Sequence, residues 1–361
     1  MEEALAVTER DVLDALRPIQ DPDLKRDIVS LGFVRNVRVE GDAVRLEIRL
    51  TTPACPVKDK IRDDAQRAVE KLAGVKRAEI EMTSEVRGSA APDKSAIAGV
   101  KNLIAIGSGK GGVGKSTVTV NLALALAESG AKVGLLDADI YGPSLPIMMG
   151  LTQEGVGARG DLLIPPVAHG IRFLSMGFMA PGDQPLIWRG PMAHKALQQT
   201  LFGAEWGELD YLLIDLPPGT GDVHLTLVQS VALTGGVIVS TPQDVGLTIS
   251  RKTLRMFQQT RVHLLGVVEN MSFYVCPHCG QRDDIFGHGG AEKTAETLDI
   301  PFLGAIPLDR RVREQADLGT PIVIAEPAHP AAAAYREIAG KLAQQVSIRS
   351  FETPQVTIVE E

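Results

Sequence analysis

Three cysteines in a chain of 361 residues are too few, and odd in number, for a disulfide framework. Their scarcity excludes the small secreted scaffolds stapled by such bridges and points to a reducing compartment. Aromatic residues make up only 4% of the sequence, which argues against a nucleic-acid surface built on base stacking. Positive charge is not in excess either: 37 Lys and Arg stand against 45 Asp and Glu, a formal charge of −8. That sign disfavours non-specific binding to DNA or to an anionic membrane. No run reaches the roughly 18 apolar residues that a membrane span requires. Residues 1–7 carry two glutamates and no apolar core, so no secretory leader is expected. The expectation is a cytoplasmic protein with neither nucleic acid nor membrane among its partners.

Hydrophobic residues supply 44% of the chain and glycine is plentiful, a texture suited to tightly packed α/β layers. The length allows two domains, one of them large. Thr8 opens a short helical pattern with Val12, Leu13 and Leu16 on one face, stopped by Pro18. Residues 33–39 look extended. Val44, Leu46, Ile48 and Leu50 then alternate with Arg45, Glu47 and Arg49, the mark of a half-buried strand. Pro56 starts a helix whose Val57, Ile61, Ala65, Ala68, Val69 and Leu72 follow the 3.6 period, and residues 75–82 form a third strand. The expectation is an α-β-β-α-β domain over residues 1–85, a linker over 86–100, a main domain over 101–346 and a mobile tail over 347–361. In the main domain, residues 103–106, 132–136, 211–214, 236–240, 264–268 and 302–306 are short apolar runs separated mostly by helical stretches. Such alternation predicts a mostly parallel sheet covered by helices on both faces.

Gly109, Lys110, Gly111, Gly112, Val113, Gly114, Lys115 and Ser116 fit G-x-x-x-x-G-K-S/T at every fixed position. The run follows a predicted strand and precedes a predicted helix, the context a P-loop requires. Glycines let backbone N–H groups converge on phosphates, and the helix N-terminus adds a positive dipole end. Lys115 then reaches the β- and γ-phosphates, Ser116 ligates Mg²⁺, and Thr117 is placed for the α-phosphate. Asp137 and Asp139 close one apolar strand and Asp215 closes another, at the carboxyl edge where α/β sheets hold ligands. Asp215 fits a Walker B carboxylate that holds Mg²⁺ through water. The glycine-rich stretch after it, through Asp222, is a candidate switch. Asn270, after a later strand, resembles the base-contacting Asn of P-loop ATPases; an amide can pair with the adenine edge, which favours ATP over GTP.

Cys276 and Cys279 form a C-x-x-C in a turn with Pro277 and Gly280. Zinc, a redox dithiol and half of a 4Fe-4S site are all open on these residues alone. A zinc site needs four ligands, and only His278 and His288 lie nearby in sequence. Cys55 sits at an expected helix start, where a dipole favours thiolate.

Lys110, directly after the first glycine, makes this run resemble the deviant Walker A ATPases. That group includes septum-site and plasmid-partition ATPases, the nitrogenase iron protein and the Mrp/Nbp35/ApbC cluster carriers. Gly109–Thr117, Asp137–Ser144, Asp215–Asp222 and Cys276–Gly280 together resemble the Mrp/Nbp35/ApbC branch in particular. The resemblance implies a homodimer sandwiching two nucleotides, with Lys110 of each subunit touching the phosphates of the other. It implies Asp139 as the residue that orients the attacking water, making Lys110, Lys115 and Asp139 the catalytic set. It further implies a labile 4Fe-4S cluster held by Cys276 and Cys279 of both subunits, and transfer to apo iron–sulfur proteins. Asp21, Pro22, Asp23, Leu31, Gly32 and residues 51–56 resemble the MIP18 (DUF59) domain, whose relatives act in cluster assembly alongside scaffold proteins, and give Cys55 a possible transfer role. The alternatives are a spatial-organising ATPase and a zinc-stapled ATP-dependent scaffold.

Overall fold

The computed structural model describes residues 7–88, 95–139, 142–151, 156–179, 190–219, 227, 230–245, 257 and 262–352. The chain divides into two compact units, Met1–Val86 and Arg87–Glu361.

The first unit contains α1 (Glu9–Leu16), β1 (Val34–Glu40), β2 (Ala43–Leu50), α2 (Lys58–Glu70) and β3 (Arg77–Ser84), in the order expected. A capping box starts α1: Thr8 and Asp11 each bind the other's backbone N–H. Strand β2 lies in the centre, antiparallel to β1 and parallel to β3. Val44, Leu46, Ile48 and Leu50 bury toward the core that also holds Val12, Leu16, Ile61, Ala65 and Val69. The alternation breaks at Glu47, which is buried because Asn36, Arg49 and Thr83 all donate to its carboxylate.

The second unit is built on β4 (Val100–Ser108), α3 (Lys115–Glu128), β5 (Val133–Asp137), β6 (Val167–Ala168), β7 (Ile171–Ser175), α4 (Gly190–Phe202), β8 (Leu209–Asp215), β9 (Gly235–Ser240), β10 (Leu264–Glu269), α5 (Gly290–Thr297), β11 (Phe302–Ala305) and α6 (Pro330–Glu352). The sheet runs β6-β7-β5-β8-β4-β9-β10-β11. Every pairing in it is parallel except the edge pair β6–β7. After β4 the chain passes to one side through β5 and β8, then to the other through β9. The order therefore reverses at β4, and the loop after β4 opens into the crevice where ligands bind in such sheets.

Helix α3 is buried on nearly every side, which its Ala- and Leu-rich sequence permits. One neighbour is α6, whose Ala331, Tyr335, Ile338, Leu342 and Val346 recur at helical spacing and are all buried.

Three boundaries differ from the expectations. Helix α6 does not stop at residue 346 but continues to Glu352, because Ser350 is buried and the Phe351 ring packs 4.5 Å from the Arg87 guanidinium. The stretch 86–100 is packed at both ends: Val86 and Ile97 are buried, and the Ser95 carbonyl accepts from Ala232. Only residues 89–94 of that stretch lie outside the described residues. Strand β7 is absent from the sequence-based list because Arg172 interrupts its apolar run. In the fold that guanidinium donates to the Trp206 carbonyl, so the strand still pairs in register with β5.

Candidate nucleotide and cysteine site

The P-loop leaves β4 at Ser108 and enters α3 at Lys115. Gly112 and Gly114 take φ values of 81° and 78°, in the left-handed region that glycine enters without a Cβ penalty. Gly114 has a second constraint, since a Cβ there would clash with Nδ2 of Asn270. The loop walls a cleft of about 210 Å³ that Lys110, Thr117, Asp139 and Pro218 also line.

Beneath the loop, Lys115 Nζ lies 2.7 Å from Asp215 Oδ1, both side chains almost fully buried. Ser116 Oγ donates to Asp215 Oδ2 at 2.6 Å, and Thr119 Oγ1 donates to Oδ1 at 2.8 Å. Three groups thus converge on the Asp215 carboxylate. Thr119 did not figure among the expected site residues. Its place one turn after Lys115 on the same helix face is the sequence signal that marks it. The oxygen pair of Ser116 and Asp215, set beside a glycine cradle, is the hard donor set that suits Mg²⁺.

Asp137 accepts from Ser175 Oγ at 2.9 Å and from the Asp139 backbone N–H at 3.1 Å. Burial, then the neighbouring Asp215 charge, pushes its carboxyl up to about 8. Asp137 thus holds its proton more readily than an exposed carboxyl, and the carboxylate that Lys115 meets is that of Asp215. Asp139 is half-buried in the cleft wall and accepts from the Gly142 backbone. Lys110 lines the same cleft of its own chain. Residues 220–226, including Asp222, and residues 140–141 lie outside the described residues.

Asn270 is buried at the end of β10, beside the P-loop, and its Nδ2 donates to the Val113 carbonyl at 2.8 Å. The side chain thus ties β10 to the P-loop, a role the sequence reading did not include.

The next residues lead to the cysteines. Tyr274–Val275 pairs with Arg282–Asp283 in a two-stranded hairpin whose tip carries Cys276 and Cys279. Gly280 N–H closes the turn on the Cys276 carbonyl at 2.8 Å, with Gly280 at φ 71°. The backbone N–H of Cys279 donates to the Cys276 sulfur, followed by that of His278 and by the Cys279 thiol. These donors hold Cys276 below the usual thiol range. Among the described residues no group of three or more His, Cys, Asp or Glu side chains is placed to hold a metal. His278 and His288 therefore do not complete a site with the pair.

Cys55 departs from expectation. Helix α2 begins at Lys58, not at Pro56, so Cys55 lies before the helix. Burial pushes its thiol up to about 11, with Asp21 and Asp23 adding to the rise against a backbone N–H donated by Val57. It is a thiol, not a thiolate. At pH 8, Cys55 should alkylate about a hundredfold more slowly than an unperturbed cysteine, its rate rising about tenfold per pH unit. Mass-spectrometric mapping with iodoacetamide checks this, and Cys276 should label first; equal rates for the two would contradict the assignment.

Among the described residues no helix is long and apolar enough to cross a membrane. Residues 99–343 match the family described as NUBPL iron-transfer P-loop NTPase, and residues 9–82 match one described as iron-sulfur cluster assembly protein. An "iron-sulfur cluster carrier protein" of Synechocystis sp. is 49% identical, covering 94% of this chain and 98% of the relative. One of the same name from Deinococcus radiodurans is 50% identical, covering 95% and 97%. The solved structure of a nucleotide-binding protein from Archaeoglobus fulgidus in complex with ADP shares 43% identity. It covers 61% of this chain and 87% of its own, with a TM-score of 0.55. With more than half its length matched by one family and nearly all of it shared with these relatives, the chain belongs to the iron-transfer P-loop NTPases, with an iron–sulfur assembly domain at its N-terminal end.

Proposed function

We propose that the protein is an ATP-hydrolysing carrier that binds a labile 4Fe-4S cluster between two copies of itself and passes it to apo iron–sulfur proteins in the cytoplasm. The observation that carries this reading is the cysteine hairpin. It offers two thiols with nothing beside them among the described residues to complete a metal site. A second copy would bring the count to the four thiolates a 4Fe-4S cluster takes. Zinc can occupy the same thiolates during aerobic isolation.

Nucleotide chemistry follows from the cleft. ATP phosphates lie against the P-loop N–H groups and draw Lys115 from Asp215 to the β- and γ-oxygens. Ser116 and Asp215 are the residues that would hold Mg²⁺, which neutralises phosphate charge. Asn270 keeps its carbonyl oxygen for the adenine amino group. Asp139 orients a water that attacks the γ-phosphorus as the bond to the bridging oxygen breaks, leaving ADP and phosphate. Lys110 completes the site across the dimer. Turnover is slow, and the nucleotide acts as a switch whose two states hold the cluster unequally.

Direct transfer is the test. Carrier loaded anaerobically should activate apo-aconitase in the presence of an iron chelator that captures free Fe²⁺. Activation abolished by the chelator would mean release into solution and would contradict carriage. Because Cys55 is a protonated, largely buried thiol, Cys55→Ala should transfer at the wild-type rate.

A further inference from the structure

Between the nucleotide cleft and the cysteine hairpin stands a buried carboxylate that neither site uses. Glu269 ends β10, is fully buried, and accepts from the backbone N–H groups of Gly289 and Ala291 at 3.1 and 2.8 Å. It therefore caps α5. Ser272 Oγ donates to Glu269 Oε1 at 2.5 Å and also lies 2.8 Å from Nδ1 of His288. A serine hydroxyl donates one hydrogen bond, and here it goes to the Glu269 carboxylate. Ser272 must then accept from His288, which fixes the imidazole as the Nδ1–H form.

These bonds bracket both sites. On the cleft side, Asn270 holds Val113 of the P-loop, and Met271 follows with φ 55°. A left-handed methionine is strained and persists only where its neighbours over-determine it. On the hairpin side, the Phe273 ring meets His288 edge-on at 6.4 Å and carries the Arg282 guanidinium 4.3 Å above it. Arg282 is the register partner of Val275, next to Cys276. A path thus runs from Val113 to Asn270 by hydrogen bond, along the backbone through Met271 to Ser272, and on through His288, Phe273 and Arg282 to the strand beside the cysteines. His288 itself lines no part of the cleft and joins no metal-ligand group among the described residues.

We propose that His288 is a positioning residue that couples the seating of the cysteine hairpin to nucleotide binding, an inference that rests on the cluster-carrier reading above. When a cluster draws the hairpin into its bridged position, Phe273 and Ser272 move with it. The His288–Ser272–Glu269 bonds then turn that displacement into a shift of Asn270 against the P-loop, about the strained Met271. Coupling is reciprocal, so the nucleotide biases the hairpin by the same factor.

The experiment is a linkage cycle on the full chain. Affinity for a fluorescent ATP analogue with Mg²⁺ is measured with and without a cluster reconstituted from Fe²⁺ and sulfide. Wild type should show at least about a fivefold difference, the lower end of usual allosteric coupling. His288→Ala should bring the ratio to within about twofold of unity while cluster-free affinity and iron per chain stay unchanged. His288→Asn, whose amide N–H can stand where Nδ1–H stood, should restore it. Wild-type coupling in His288→Ala, or an Asn variant no better than Ala, overturns the proposal. A wild-type protein that holds a cluster but shows no coupling overturns it too and leaves the carrier reading standing. A wild-type protein that assembles no cluster overturns both.

Discussion

Lys115→Ala should show no measurable ATP turnover and lose most of its affinity for Mg·ATP. In the fold this ammonium is the buried partner of Asp215, 2.7 Å away. Removing one member of a buried ion pair leaves the other charge stranded, at a cost of about 3 kcal/mol. The hydroxyls of Ser116 and Thr119 still donate to Asp215, which keeps the loss from growing larger. The variant should therefore melt at lower temperature and, unlike wild type, gain no stabilisation from Mg·ATP. Asp139→Asn provides the contrast. Asp139 lines the cleft from outside the P-loop run 109–116, so its amide should bind Mg·ATP within a few-fold of wild type. Turnover should fall by about 10² or more, the usual contribution of a positioned base. Calorimetry and a phosphate-release assay separate the two. An Asp139→Asn protein that cannot bind Mg·ATP would refute this division of roles.

Cys276→Ser or Cys279→Ser, each alone, should abolish the brown chromophore of the reconstituted protein. A serine oxygen is a poor substitute for a thiolate on iron, and one chain has no spare thiol at the hairpin. ATP affinity should stay within about twofold of wild type in cluster-free protein, because the hairpin tip is separate from the cleft wall. Cys276→Ser also removes the thiol whose pKa the N–H groups of Cys279 and His278 lower. Iron and sulfide analysis with absorption spectroscopy measures the effect. A Cys276→Ser protein that retains a full cluster would place the ligands elsewhere.

Much of the nucleotide site was legible because its chemistry is local in sequence. Eight consecutive residues make the phosphate cradle, and the two carboxylate strands end in Asp137 and Asp215 where an α/β sheet opens its crevice. Relations between distant residues were less legible. Thr119 and Ser116 meet Asp215 across about a hundred positions, and only the central places of β4 and β8 bring them together. Asn270 read as a base contact, yet in the fold its amide braces Val113, which depends on how β10 enters beside the loop. Glu269 and His288 are separated by a hairpin, so no spacing rule marks them as one cluster. Cys55 misled for a different reason. Its expected dipole rested on a helix start at Pro56, and the true start at Lys58 leaves burial as the dominant effect. The tail boundary failed because Ser347–Glu352 is polar in composition but helical in context, held where Phe351 meets Arg87.

Shared ligation by two chains is the central claim, and stoichiometry tests it most directly. Protein reconstituted anaerobically with Fe²⁺ and sulfide, freed of unbound metal and sized by light scattering, is assayed for iron, sulfide and zinc. The account predicts about four iron and four sulfide per two chains on a dimer, as a single 4Fe-4S cluster requires. A full cluster on a monomer, or zinc that iron and sulfide never displace, would contradict it.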